Sequence, residues 1–85
     1  MFGVRKTFVD GSEICMAFGH KFAFHVKLQF WYNLEGRAVQ VHQSKVDRLE
    51  WHVIVPDVRE FVHVSGTDAE HRAFSMAVGF ITQTA

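Results

Sequence analysis

Between Lys21 and Tyr32 the chain alternates without interruption: Phe22, Phe24, Val26, Leu28, Phe30 and Tyr32 fall on one parity, and Lys21, Ala23, His25, Lys27, Gln29 and Trp31 on the other. A repeat of two belongs to the extended strand, whose successive side chains point to opposite faces, and it is at odds with the 3.6-residue repeat of a helix. One parity is apolar throughout and the other is mixed, as in an antiparallel strand with one well-covered face. A strand of this kind requires neighbours, so the rest of the chain must supply a sheet.

The neighbours are readable. Asn33-Leu34-Glu35-Gly36 is a turn signal, and Arg37 to Gln43 alternates again. A four-residue loop would pair Tyr32 with Arg37, Phe30 with Val39 and Leu28 with Val41, keeping the apolar parities together, as register demands where one face is buried. Leu49, Trp51, Val53 and Val55 then alternate with Glu50, His52 and Ile54 up to Pro56-Asp57. Val58 to Val64 reads as the next strand, with Phe61 and His63 opposite Val62 and Val64, although Val58, Phe61 and Val62 also fit one helical turn. At the N-terminus Val4 to Val9 reads as a strand, Asp10-Gly11 as a tight turn, and Ser12 to Phe18 as a hairpin partner or a short helix stopped at Gly19, with the hairpin favoured.

The last segment changes period. Thr67-Asp68-Ala69-Glu70 has the form of a capping box, in which Thr67 accepts from the Glu70 amide and Glu70 reaches back. From Asp68 to about Thr82 the residues Ala69, Ala73, Phe74, Met76, Ala77, Phe80 and Ile81 share one arc of a helix, with His71, Arg72, Ser75 and Gly79 opposite. The expected fold is α+β: an antiparallel meander of five or six strands with one amphipathic C-terminal helix on one face. That helix is expected to cover Val26, Leu28, Phe30, Val39, Val41 and Val53. With 85 residues, a single domain spanning 1–85 is expected.

Composition narrows the function classes. Nine Lys plus Arg balance nine Asp plus Glu, and no basic cluster gathers, so binding to duplex nucleic acid by phosphate neutralisation is disfavoured. No apolar run approaches the ~18 residues of a membrane span. A lone cysteine, Cys15, and no signal-type opening suggest a reducing, cytoplasmic setting. Cys15 lies among Ile14, Met16 and Ala17 and reads as a small core residue rather than a nucleophile. No nucleotide-binding glycine pattern or nucleophile elbow occurs, and Glu13, Glu50 and Glu60 read as solvated or cross-strand carboxylates. Single-strand base stacking on an aromatic sheet face would need more cations than Lys21 and Lys27 provide.

Six histidines are present, and parity sets His25, His42, His52 and His63 away from the main apolar stripe. They read as a polar face; the helical or paired-cysteine spacings common in zinc sites do not occur, and no metal or other cofactor is expected. Trp31, Ile54 and Phe61 fall on that same face with His25 and His52, where a monomer would show mostly charge. Two fates are open to it: a binding surface, or a face that the N-terminal segment covers.

The expectation is therefore a non-enzymatic module that binds a protein partner or its own copy through Trp31, Ile54, Phe61, His25 and His52. By analogy of size alone, such chains include the small inhibitors that phages and mobile elements direct at host defence machinery, CRISPR complexes among them. The alternative is a small homo-oligomeric enzyme or ligand-binding protein with a histidine-containing site between subunits.

Overall fold

The computed structural model describes residues 4–9, 12–33 and 38–82. Among them lie seven strands in a single antiparallel sheet, ordered as in the chain: β1 (Val4–Val9), β2 (Ser12–Ala17), β3 (His20–His25), β4 (Phe30–Asn33), β5 (Gln40–Gln43), β6 (Glu50–Val55) and β7 (Glu60–Ser65). The helix α1 (Ala69–Thr82) follows and packs on one face, giving the two-layer α+β fold that the alternation and the capping pattern imply.

There are more strands than the five or six expected because the long alternating run folds back on itself. A continuous strand from Lys21 to Tyr32 would run about 40 Å at ~3.3 Å per residue, beyond the molecule's longest dimension of 34 Å. Instead Val26 to Gln29 forms a turn: the Gln29 amide donates to the His25 carbonyl (2.7 Å), the Leu28 amide donates to His25 Nδ1 (3.1 Å), and Gln29 Nε2 donates to the Val26 carbonyl (2.6 Å). Gln29 takes a left-handed φ of 61°, a conformation that usually selects glycine. Side-chain hydrogen bonds thus stand in for the turn residues that the sequence lacks.

The turn reverses parity. His25 pairs with Phe30, Phe24 with Trp31 and Phe22 with Asn33, so even positions of β3 share a face with odd positions of β4. Trp31, expected on the outer face, is 5% exposed in the core, while Phe30 and Tyr32 pass to the opposite side. Val26 and Leu28, expected beneath the helix, are 72% and 59% exposed in the turn. The β4–β5 register shifts with them: Tyr32 pairs with Gln40 and Trp31 with Val41, and the Asn33 amide donates to the Val39 carbonyl (3.1 Å), in place of the expected Tyr32–Arg37 pairing. The governing rule is unchanged, because Val39 and Val41 still join the buried parity; what differs is that Trp31 belongs to it. Much of the expected Asn33–Gly36 loop, like the Asp10-Gly11 turn, lies outside the described residues.

The other hairpins follow their local chemistry. Ala17 pairs with His20 across a two-residue loop in which Phe18 and Gly19 both have positive φ, 51° and 83°, the twist that closes a right-handed hairpin. Between β5 and β6, Ser44 Oγ accepts from the Val46 and Asp47 amides and Asp47 Oδ1 from the Leu49 amide. Pro56–Val58 forms a 3₁₀ turn ending at Arg59, φ 56°, and β7 then pairs along the whole of β6. The strand expected from Val58 therefore begins at Glu60, and Val58 itself lies in the 3₁₀ turn.

The core is the face beneath α1. Ala69, Ala73 and Ala77 let the helix approach β6 and its neighbours β5 and β7, and Phe74, fully buried, enters the sheet face. Its ring meets Phe22 edge-on (5.1 Å between centroids) and lies 6.3 Å from Trp31 and 6.0 Å from Trp51. Such aromatic pairs add to the area they bury. Phe80 and Ile81 pack only partly against this core, and Met76 is exposed. Glu70 does not close a capping box: its Oε2 lies 2.6 Å from Lys6 Nζ, tying the helix start to β1, and Lys6 also sits 5.7 Å from the Trp31 ring centre. Asp68 accepts from Arg72 Nε (3.0 Å) in the first turn.

Candidate functional site

Because α1 takes one face of the sheet, no other element among the described residues lies over the second face. The N-terminal strands do not fold across it; β1 and β2 extend the sheet sideways. On this outer face the registers align two rows of side chains at right angles to the strands. The first runs Ile14, Ala23, Tyr32, Gln40, Ile54, Phe61, one residue from each strand from β2 to β7. The second runs His25, Phe30, His42, His52, His63. Neither row contains a Lys, Arg, Asp or Glu.

Ring contacts hold the second row together. His25 stacks on Phe30 at 5.3 Å, Phe30 on His42 at 4.7 Å, and His52 on His63 at 5.0 Å, with Phe61 tilted against His52 at 5.1 Å. Tyr32 meets Phe30 edge-on at 6.0 Å, linking the two rows. A shallow hollow of about 210 Å³ opens beside Tyr32, Phe30, His25 and Gln40. Stacking fixes rotamers that would otherwise be free on an open surface, so a partner would meet a face already ordered.

Proton positions follow from the hydrogen bonds. His25 Nδ1 accepts from the Leu28 amide, so a neutral His25 carries its proton on Nε2. Burial first, and the neighbouring His52 second, hold the His42 imidazole below its ordinary range. It is therefore neutral at pH 7, and its Nε2 lies 3.0 Å from Gln40 Oε1, which assigns the proton to that nitrogen. At the β7 end, His63 Nε2 lies 2.9 Å from Glu50 Oε2. Glu50, His52 and His63 offer donor atoms that all fall within 4.8 Å of one another.

Of the residues expected to form a binding surface, Ile54, Phe61, His25 and His52 share the outer face, whereas Trp31 lies in the core on the other side. Phe30, Tyr32 and His42 take its place there, and Glu50 joins the cluster at the edge. Only the length of the Val26–Gln29 turn would have revealed the first two from the sequence. Cys15 is fully buried; burial above all, with Glu70 and Glu13 adding to it against the opposing pull of Lys6, pushes its thiol from 9.0 up to about 12. A thiol of this kind is a poor nucleophile at neutral pH.

Among the described residues no helix is long and apolar enough to cross a membrane. In comparisons with protein families, curated proteins and solved structures, nothing matches the chain.

Proposed function

We propose that this protein is a non-enzymatic binding module that acts by occupying the surface of another protein with the outer face of its sheet. One observation carries the reading: the two central rows of that face are aromatic, aliphatic and imidazole side chains with no formally charged residue among them. Protein interfaces concentrate aromatic groups and shed charge at their centres, leaving polar groups to the rim. Here Lys21 and Glu50 stand at the rim. With strands ~4.8 Å apart and two rows of side chains, the charge-free area is on the order of 350 Å², the size of a functional patch on a monomer. It would form the centre of a standard interface of about 800 Å² per partner. A phosphate backbone would find no cation in these rows, which favours a protein as occupant over a nucleic acid.

Phe61, on the outer face of the edge strand and 61% exposed, is the test position. Light scattering with and without Phe61→Ala and Tyr32→Ala reads whether a second copy is the occupant, and affinity capture with the same variants reads binding to a different protein. Loss of either association in folded variants supports the reading. An association indifferent to both substitutions removes it.

A further inference from the structure

We propose that Glu50, His52 and His63 form a binding site for a single divalent transition-metal ion of the zinc type. This inference does not rest on the protein-binding reading, because the site lies within one chain. Among the described residues this is the one group of three potential ligands whose donor atoms converge, all within 4.8 Å. The backbone sets that convergence. Glu50 and His52 are two apart on β6 and therefore point to the same face, and His63 is the direct cross-strand partner of His52 on β7.

The donor set is chemically suited to such an ion. Two imidazoles and a carboxylate are borderline ligands that favour zinc and its neighbours over calcium or magnesium, and the same three-donor set holds zinc in open sites. Bonds of ~2.0–2.2 Å in a tetrahedron put donors ~3.3 Å apart. The widest separation must therefore close by about 1.5 Å from its 4.8 Å limit. The His63–Glu50 pair, at 2.9 Å, is already that close. The partly exposed side chains of Glu50 and His63 have room to make the adjustment, while contact with Phe61 at 5.1 Å holds the His52 ring. The metal would take the place of the hydrogen bond between His63 Nε2 and Glu50 Oε2, held by the imidazole in its neutral form and by the carboxylate. Three protein ligands leave a fourth position open to water or to an outside donor.

Nothing in the core depends on these side chains, so the metal-free protein is expected to be folded and the ion to add stability by binding. Isothermal titration calorimetry of the intact protein with ZnCl₂, and visible absorption with CoCl₂, test the site. The expected result is one ion per chain, a tetrahedral cobalt spectrum and a melting temperature that rises with zinc. His63→Ala, His52→Ala and Glu50→Gln should each weaken binding by at least the roughly 10–100-fold typical for loss of even an outer partner of a metal site. His20→Ala and His71→Ala, on histidines remote from the cluster, should leave it unchanged. His63 is on an exposed edge, so its variant stays folded, as circular dichroism will verify. No binding heat, zinc affinity unaffected by His63→Ala, or binding lost with His20 or His71 would each overturn the proposal.

Discussion

Phe74→Ala is the perturbation that tests the architecture most directly. The side chain is fully buried and its ring contacts Phe22, Trp31 and Trp51, which come from β3, β4 and β6, so it joins the helix to three strands at once. Truncating a core Phe to Ala costs about 3–5 kcal/mol. For a chain of 85 residues, total stability at ~0.05–0.15 kcal/mol per residue is about 4–13 kcal/mol, so the change removes between about a quarter and all of it. A loss of about 4 kcal/mol lowers the melting temperature by roughly 16–32 °C in a domain of this size. Urea unfolding followed by tryptophan emission is the assay, because Trp31 and Trp51 are 5% and 4% exposed when folded and meet water only on unfolding. Phe80→Ala provides the contrast: the residue shares the helix but only partly packs on the core, and about 1–2 kcal/mol is expected. Equal costs at the two positions, or less than ~1.5 kcal/mol at Phe74, would refute the view that α1 is anchored through this one ring.

Two further predictions concern residues whose placement the structure decides. Leu28→Lys should change stability by no more than ~0.5 kcal/mol in urea melts, since the side chain is 59% exposed, whereas Trp31→Ala should cost about 3–5 kcal/mol. The Cys15 thiol, held at about 12, should resist alkylation in the folded protein and react at the rate of unfolding. Its linkage has a definite sign: between 9.0 and about 12 the unfolded chain loses this proton and the folded one keeps it, so stability should fall as pH rises through that window, and Cys15→Ala should flatten the fall.

Where alternation ran unbroken between real turn residues, the sequence was a sufficient guide. On β6, Trp51, Val53 and Val55 are buried and Glu50, His52 and Ile54 face outward, as their parity implies, and β7 follows because Pro56 and Asp57 mark the reversal. The histidines His25, His42, His52 and His63 were placed on one face by the same reasoning. It sets Trp31 there too, wrongly, because Val26-Lys27-Leu28-Gln29 contains no Gly, Pro, Asn or Asp to announce a turn. That turn is held by His25 Nδ1 and the Gln29 side chain, hydrogen bonds that exist only once the chain has bent. The alternating pattern persists through the bend, so the residues beyond it exchanged faces with no change in composition to mark the event. The convergence of Glu50 with His63 was hidden for a similar reason: it depends on the number of residues taken up by the Pro56–Arg59 reversal.

The order of the seven strands in space is their order in the chain, and this has a consequence for how the protein comes into being. Each strand can zip onto the one made just before it, so sheet formation proceeds through short loop closures and keeps pace with synthesis. The helix is different. It follows all seven strands and must reach back to β2 as well as to β5, β6 and β7. Until it emerges, Phe22, Trp31, Trp51 and the valines of β5 and β6 face water as one apolar sheet surface with two bare edges, the state in which a nascent chain is most prone to adhere to its neighbours. Docking of this fourteen-residue helix therefore closes the core and takes that surface out of water.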